Sequence, residues 1–234
     1  MKATEFDKFA DEYEVIHAKN IAITGETPEF FAEYKVRDVA EAVAYEAALD
    51  AANTAILDFG AGVGNSVPFF RRHFPTARLT CLDVSSRSLA LAERRFADAA
   101  EYRRFDGSTI PFEEASFDIV FAACVFHHID HSEHVRLLGE FHRVLKPGGA
   151  AFIFEHNPLN PLTVRAVNTC PFDANARLIR AGHMAKRMRT AGFEHPLIRY
   201  RIFFPAALRW LRGLERFLTA MPLGAQYYVQ GRKA

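Results

Sequence analysis

The 234-residue sequence has little of three features that often identify a protein's class: charge of one sign, cysteine and long apolar runs. It holds 29 lysines and arginines against 28 aspartates and glutamates, a formal net charge of +1. A nucleic-acid-binding protein is expected to carry a basic excess on one face, so we expect no nucleic acid partner. Cys81, Cys124 and Cys170 lack the spacing of a disulfide framework, which predicts free thiols in a reducing compartment. We expect Cys124 and Cys170 to be packing residues.

Two further absences concern membranes and export. No apolar run approaches the ~20 residues that a membrane-spanning helix needs. The first residues, MKATEFDKFADEYE, are acidic and interrupted by charge, unlike a secretory signal peptide. Together with the free thiols, these features predict a soluble cytoplasmic protein, and we expect a monomer or a homodimer.

The length and the apolar half of the composition suit one sizeable α/β domain and are too small for two. We divide the chain 1–234 into three zones. Residues 1–53 are amphipathic with helical spacing and predict an N-terminal helical cap. Residues 54–156 predict a ligand-binding core. Residues 157–234 are less regular and predict a substrate lid followed by C-terminal strands.

The middle zone alternates strand and helix patterns. Apolar runs stand at Ala55–Phe59, Ala77–Leu82, Phe117–Ala123 and Ala150–Glu155, and helical patterns between them at Ser86–Ala100 and Ser132–Leu145. Continuous apolar strands separated by helices of this length are typical of a parallel sheet covered on both faces. The sequence therefore predicts an α/β fold with a doubly wound, Rossmann-like, mostly parallel sheet.

The last zone predicts a C-terminal antiparallel hairpin, with strands over Leu197–Phe204 and Gln226–Gln230 and a helix over Ala206–Leu218 between them. Leucines and arginines of this helix fall on different sides. We expect the apolar side to cover the sheet and the arginines to be exposed. The alternative is a helix that rests on a membrane surface.

A glycine-rich turn follows the first predicted strand. Gly60 and Gly62 let the backbone bend sharply and let a ligand approach closely. A dinucleotide fingerprint, G-x-G-x-x-G, would need a third glycine where Asn65 stands. Asp58, just before the turn, is unfavourable beside a pyrophosphate and favourable beside an amino group. The turn therefore indicates a ligand with an ammonium end and no phosphates.

A second acidic residue lies where a ribose would need it. Asp83 ends the second predicted strand, roughly 20 residues after the turn, at the edge of the sheet where ligands bind. A carboxylate at this position binds ribose hydroxyls in nucleotide sites. The alternative is an N-cap for the helix that begins at Ser86.

The ordered set of motifs resembles the class I S-adenosylmethionine-dependent methyltransferases, in the small-molecule branch that includes the ubiquinone-type enzymes. The motifs are Asp58-x-Gly60-x-Gly62-x-Gly64, Asp83, Asp106-Gly107, Pro111-Phe112 with Ser116-Phe117-Asp118, His127-His128 and Leu145-Lys146-Pro147-Gly148-Gly149. The resemblance covers about residues 55–156. It implies S-adenosylmethionine as cofactor and S-adenosylhomocysteine as product.

The resemblance also implies roles for single residues. The methionine part of the cofactor would be lined by Asp58, Gly60, Ala61 and Gly62, with Ala123 at its end. Asp83 would bind the ribose hydroxyls and Val84 would pack on adenine. Asp106 would accept a hydrogen bond from the adenine amino group, with Gly107 and Ser108 beside it, and Tyr13 would close over the site. All of these positions are expectations until the structure is considered.

Polar residues after the fourth and fifth predicted strands are candidates for chemistry. His127 or His128 could be a general base, with a slight preference for His128, or could only shape the pocket. We expect no metal, although histidines are dense here, because neither a cysteine nor a second carboxylate cluster completes a site. The run Glu155, His156 and Asn157 predicts substrate contacts or, equally well, a hydrogen-bonded start of a loop.

The leading hypothesis is methyl transfer to an oxygen, nitrogen or carbon atom of a small molecule. The first alternative is an NAD(P)-dependent oxidoreductase, which Asn65 and the lack of a suitable Tyr-x-x-x-Lys pair disfavour. The second is a non-catalytic protein that binds S-adenosylmethionine. The sequence leaves this second alternative open, because methyl transfer demands few catalytic side chains.

Overall fold

A seven-stranded sheet forms the centre of the computed structural model, which describes residues 21, 24–44 and 54–234. Its strands are β1 (Ala55–Phe59), β2 (Arg78–Asp83), β3 (Glu101–Arg104), β4 (Phe117–Ala123), β5 (Leu145–His156), β6 (Glu194–Arg201) and β7 (Gln226–Arg232). The order across the sheet is β3-β2-β1-β4-β5-β7-β6, and β7 runs antiparallel to both of its neighbours. The doubly wound, mostly parallel sheet with a C-terminal antiparallel hairpin is confirmed.

Helices cover both faces of the sheet. They are α1 (Pro28–Ala44), α2 (Val67–His73), α3 (Ser86–Phe96), α4 (His134–Val144), α5 (Pro161–Thr169), α6 (Ala181–Thr190) and the single turn α7 (Glu215–Leu218). Successive side chains of a strand point to opposite faces, so Leu57 and Phe59 of β1 join one apolar layer and Ile56 joins the other. Within the described part of the chain, we find no helix with the length and apolar character that crossing a membrane requires.

Helix α1 is the part of the predicted N-terminal cap that the structure describes. It begins at Pro28, after Thr27, whose hydroxyl accepts a bond from the amide of Phe30 at 3.4 Å. Its apolar face packs on the sheet, and Asp38 forms an ion pair with Arg201 of β6 at 2.6 Å. Helix α1 is thus held against the sheet and β6.

Strand β3 was not predicted, because it contains no apolar run. Its four residues, Glu-Tyr-Arg-Arg, lie at the edge of the sheet and are mostly exposed, so burial does not select apolar side chains there. The other strands differ from prediction mainly at their ends. The largest shift is in β5, which begins at Leu145 rather than Ala150.

The prediction for Ala206–Leu218 was wrong. Ala206–Leu214 is a 3₁₀ helix interrupted at Leu208, and only Glu215–Leu218 is α-helical. None of these described residues is buried, so the segment does not cover the sheet with its leucines. The physical reason is that its polar residues have partners in the body of the protein. Arg212 pairs with Glu26, and Glu215 accepts bonds from two backbone amides.

The glycine turn between β1 and α2 has the strained backbone that the sequence indicates. Gly60 has φ +75° and Gly62 has φ +54°, the left-handed region that favours glycine. At Gly60 there is also no room for a side chain, because an added Cβ would lie 2.4 Å from Cγ2 of the buried Val125. The amide of Gly60 donates to the carbonyl of Leu82 at 2.7 Å, which ties the turn to β2.

Gly60→Ala should therefore lower the free energy of unfolding by at least about 2 kcal/mol, since it adds backbone strain and a clash in the core. Urea denaturation of the purified variants measures this. The matched control is Gly139→Ala in α4, where an added Cβ meets nothing within 4 Å. That change should stabilise the protein by about 0.5–1 kcal/mol. Equal effects of the two substitutions would contradict the geometry assigned to the turn.

Candidate active site

A cavity of about 400 Å³ opens at the carboxyl ends of β1, β2 and β4. In open α/β sheets this edge is where ligands bind. Both polar and apolar side chains line it; the apolar ones include Phe31, Leu162, Ala166, Val167, Phe172, Ile202, Phe203 and Pro205. The wall therefore includes residues from the predicted cap, the core and the predicted lid.

Asp83 holds the glycine turn against the end of β2. Its Oδ2 accepts from the amide of Gly62 at 2.9 Å, and its Oδ1 accepts from the amide of Ser85 at 2.8 Å. The carboxylate is 9% exposed and faces the cavity. The N-cap of α3 is Ser85, whose hydroxyl accepts from the amide of Ser88. The capping role that competed for Asp83 is therefore filled by another residue.

Asp58 presents a buried carboxyl group to the same cavity. The residue is 2% exposed, and its Oδ2 has no hydrogen-bond partner among the described residues. Burial, and secondarily the charge of Asp83, raises the pKa of Asp58 to about 8. An ammonium group supplies both a hydrogen-bond donor and a compensating charge. The orphaned oxygen thus fits the amino-acid end of S-adenosylmethionine.

The other predicted cofactor residues divide into two groups. Gly60, Ala61, Gly62 and Ala123 line the cavity together with Asp58 and Asp83. Val84 is 4% exposed and packs into the core, and Asp106, Gly107 and Ser108 lie beyond the cavity wall, after β3. Asp106 there accepts from the amide of Ser108 at 2.7 Å. The adenine contacts assigned to these four residues stay predictions, and Tyr13 lies outside the described residues.

His127 is fixed by a buried carboxylate. It lies in the 3₁₀ turn Phe126–His128 after β4, and its Nδ1 is 2.6 Å from Oε2 of Glu155 on β5. The other oxygen of Glu155 accepts from the amide of Phe126 at 2.7 Å. Glu155 is fully buried, and its two carboxylate oxygens are engaged by the His127 ring and the Phe126 amide. Direct contact of Glu155 with a substrate, which we expected, does not agree with this geometry.

A second carboxylate faces the other side of this histidine. Oδ1 of Asp173 lies 3.4 Å from Nε2 of His127 and 3.5 Å from Nε2 of His128. Burial alone would lower the pKa of His127, but Glu155 and Asp173 outweigh it and raise that pKa well above the usual value. Burial and the neighbouring His127 lower the pKa of His128 to about 4. The two adjacent histidines thus differ in protonation.

The ligand atoms of His127, His128 and Asp173 lie within 4.8 Å of one another, close enough for a metal ion to bridge them. An imidazolium between two carboxylates accounts for the same arrangement by charge alone. We therefore keep the proton-transfer interpretation, and the expectation of no metal stays a prediction.

The two residues after Glu155 have different places. His156 lines the cavity, with its ring centre 5.3 Å from that of His127 and its Nδ1 3.3 Å from the amide nitrogen of Gln226. Asn157 is 1% exposed, and its amide donates to the carbonyls of Pro222 and Gly224. Its expected substrate contact therefore does not fit the structure; Asn157 holds two loops together.

Asp173, Cys124 and Lys35 are cavity residues that were not among the predicted site residues. Cys124, which we expected to be a packing residue, lines the cavity with φ +59°. Burial opposes its ionisation, but Lys35 and His156 outweigh burial and lower the pKa of Cys124 to about 7. Lys35 of α1 is 7% exposed and also lines the cavity. The position of Cys124 directly after a parallel strand is a usable signal, whereas nothing local marks Lys35.

Comparison with known proteins agrees with this geometry. Residues 57–153 match the family described as a methyltransferase domain. A demethylmenaquinone methyltransferase from Thermotoga maritima is 36% identical over 105 residues, which is 45% of this chain and 44% of that protein. A phthiotriol/phenolphthiotriol dimycocerosates methyltransferase from Mycobacterium ulcerans is 31% identical over 108 residues, 46% of this chain and 39% of that protein. The aligned segment thus spans less than half the length of these relatives.

Solved structures share the fold over more of the chain. An S-adenosylmethionine-dependent methyltransferase from Thermotoga maritima, described as a possible histamine N-methyltransferase, has a TM-score of 0.67 and 18% identity, covering 99% of both chains. Phosphoethanolamine N-methyltransferase 2 from Haemonchus contortus, in complex with S-adenosylmethionine, has a TM-score of 0.59 and 19% identity over 84% of this chain and 52% of that one. At these identities the likeness concerns the fold.

The burial of Asp58 predicts a pH-dependent cost in stability. Its pKa rises from 3.8 to about 8 on folding, so between those values the unfolded chain is ionised while the folded protein holds the proton. Stability from this group falls as the pH rises through that window, by about 1.4 kcal/mol per pH unit, and levels off above it. Asp58→Asn should therefore gain stability over the wild type, increasingly up to about pH 8.

Urea denaturation between about pH 6 and pH 9 measures this difference, and exposed Asp98→Asn is the control, expected to follow the wild type. The same Asp58→Asn protein should bind S-adenosylhomocysteine at least tenfold more weakly, since a charge-assisted contact to the amino group is lost. A variant that is no more stable at pH 8 and binds equally well would show that Asp58 does not have this role.

Proposed function

We propose that the chain, whose residues 57–153 match a methyltransferase domain, is a class I, S-adenosylmethionine-dependent methyltransferase of the small-molecule branch and transfers a methyl group to a small-molecule acceptor. The observation that carries the proposal is the orphaned buried oxygen of Asp58, in the same cavity as the oriented histidine His127. The first suits the cofactor's amino group and the second suits the acceptor. Both ends of a methyl-transfer site thus open into one cavity.

The residues for the cofactor are on β1 and β2. Asp58 would hold the ammonium group, the backbone of Gly60 and Gly62 would allow close approach, and Asp83 would bind the ribose. S-adenosylmethionine supplies a methyl group that its sulfonium already activates. The protein then has to orient the acceptor, exclude water and remove a proton where the acceptor carries one.

We assign the general base to His127 rather than to His128, which the sequence slightly favoured. The carboxylate of Glu155 fixes Nδ1 of His127, and Nε2, beside Asp173, can accept a proton once the pH exceeds the raised pKa of the ring. Asp173, 3.4 Å from that Nε2, stabilises the imidazolium that forms. His128, with a pKa lowered to about 4, is a weak base at neutral pH. A base oriented by a buried carboxylate is the arrangement of catalytic triads.

We infer an acceptor molecule that is mostly apolar and carries one O–H or C–H group that must lose a proton. Apolar side chains such as Phe31, Leu162 and Phe203 form the wall away from Asp58 and suit an apolar molecule. A base is needed for an O–H or C–H group, whereas a neutral amine reacts without one. The relatives named for demethylmenaquinone and for phthiotriol dimycocerosates are compatible with such an acceptor. We therefore propose an oxygen or carbon acceptor.

The alternatives are less well supported. For a dinucleotide, the carboxylate of Asp83 would repel the phosphates, and Asn65 is engaged by Arg95 at 2.9 Å. A protein that only binds the cofactor does not need a histidine oriented by a buried carboxylate, as His127 is by Glu155.

Calorimetric titration tests the cofactor assignment directly. S-adenosylhomocysteine should bind, and NADP should not. Asp83→Ala should weaken binding by at least tenfold, because the ribose contacts are lost, while the exposed Asp98→Ala should bind as the wild type does. Incubation with S-adenosylmethionine and a panel of phenols and enolisable carbonyl compounds should then release S-adenosylhomocysteine. Binding of NADP alone would overturn the proposal, and cofactor binding without turnover of any acidic acceptor would favour the non-catalytic alternative.

The pH dependence of turnover distinguishes the two histidines. With His127 as the base, kcat should rise with pH through the raised pKa of that residue, because only the neutral imidazole accepts a proton. His127→Asn should lower kcat by roughly 10²–10⁴-fold and leave S-adenosylhomocysteine binding intact. Glu155→Gln should shift the profile toward lower pH, since a charge that stabilises the imidazolium is removed. His183→Asn on exposed α6 is the control. A profile that is flat above about pH 5 would assign the base to His128 instead.

A further inference from the structure

The segment after β6 presents an apolar stripe to solvent. Trp210, Leu214, Phe217 and Met221 recur at intervals of four, three and four residues, and their exposed fractions are 76%, 50%, 70% and 44%. These side chains are exposed along the 3₁₀ segment Ala206–Leu214, the single turn Glu215–Leu218 and the residues just after it. Large exposed apolar patches on soluble proteins mark interaction sites, so this stripe is a candidate docking surface.

The orientation of the stripe is fixed by its opposite side. Oε1 of Glu215 accepts from the amides of Phe203 and Phe204, each at 3.0 Å. Arg212 pairs with Glu26, which lies at the cavity wall. These contacts turn the polar side of the segment toward the protein and leave the apolar side outward.

The stripe adjoins the mouth of the cavity. Leu162 of α5 lines the cavity and is 68% exposed, and Leu159 and Leu223 are exposed nearby. The amide of Asn160 donates to the carbonyl of Leu223 at 2.9 Å, which joins the start of α5 to the end of the stripe's segment. We call the combined surface the apolar rim; it consists of Leu159, Leu162, Leu208, Trp210, Leu214, Phe217, Met221 and Leu223.

The exposed charges on this segment are basic. Arg209 and Arg216 are exposed, and the guanidinium of Arg216 lies 4.6 Å from the centre of the Phe217 ring. A symmetric contact with a second copy would place the arginines of both copies in one interface. An anionic lipid surface offers apolar tails to the stripe and negative headgroups to the arginines.

We propose that the apolar rim docks this chain on the surface of an anionic lipid bilayer, with the mouth of the cavity facing the lipid. An apolar acceptor can then enter the cavity from the lipid without crossing water. The docking itself is independent of the proposed methyl transfer, so its test needs neither cofactor nor acceptor.

Trp210 is the single tryptophan of the chain, so its fluorescence reports on the rim directly. Vesicles that contain phosphatidylglycerol should shift its emission to shorter wavelength and should carry the protein down on centrifugation. Vesicles of phosphatidylcholine alone should bind at least tenfold less, and high salt should weaken binding to the anionic vesicles, because the arginine contribution is screened.

Two double variants that keep Trp210 separate the apolar contribution to vesicle binding from the electrostatic one. Leu214→Ala with Phe217→Ala should lower partitioning at least tenfold by removing apolar contact, and Arg209→Glu with Arg216→Glu should abolish the preference for anionic vesicles. All four positions are unburied in the structure, and circular dichroism checks the fold. Leu197→Ala on β6, exposed by 41% outside the rim, is the matched control and should bind as the wild type does.

Absence of any emission shift with anionic vesicles would overturn the proposal. Equal binding to both vesicle types would overturn its anionic part. A lipid-independent emission shift that grows with protein concentration, accompanied by dimers in analytical ultracentrifugation, would show that the rim binds a second copy instead.

Discussion

The structure depends on carboxylates that the sheet holds out of water at one edge. Asp58 and Asp83 lie at the carboxyl ends of neighbouring strands, and Glu155 lies at the carboxyl end of β5, on the other side of β4. Burying a carboxylate is costly unless it is paired or protonated. Asp83 and Glu155 accept hydrogen bonds from backbone amides, whereas Asp58 keeps its proton up to about pH 8. The apolar layers on both faces of the sheet offset the remaining cost of burying these groups. The cavity beside them favours a ligand group with positive charge.

The same burial divides the roles of two adjacent histidines. His127 and His128 have ring centres only 4.1 Å apart, yet His127 lies against Glu155 while His128 does not. A nearby opposite charge favours the charged form of a group and burial disfavours it, so the two pKa values move in opposite directions. The protein thus obtains one basic histidine from a pair that is indistinguishable in the sequence.

The sequence predicted the parts of the site that local rules govern. The glycines of the turn, Asp58 and Asp83 are recognisable because a strand, a tight turn and a helix fix their positions relative to one another. Asp173 and Lys35 are not, because they reach the cavity through the packing of α1 and of the loop after α5, which depends on the whole fold. For Asn157 the sequence left a substrate contact and a hydrogen-bonded loop start equally open, because its partners, Pro222 and Gly224, lie more than 60 residues away.

The segment 206–218 shows how tertiary partners override a helical pattern. Its leucines and arginines predict a helix that packs by its apolar side, but two buried polar contacts hold the opposite side inward. Arg212 and Glu215 each satisfy a group that would otherwise lose hydrogen bonds at the cavity wall: the carboxylate of Glu26 and the amide of Phe203. Leaving such groups unpaired costs about 1–3 kcal/mol each, comparable to the gain from burying one leucine. The exposed stripe is therefore stable as folded, and its apolar area remains available to a partner at the mouth of the cavity.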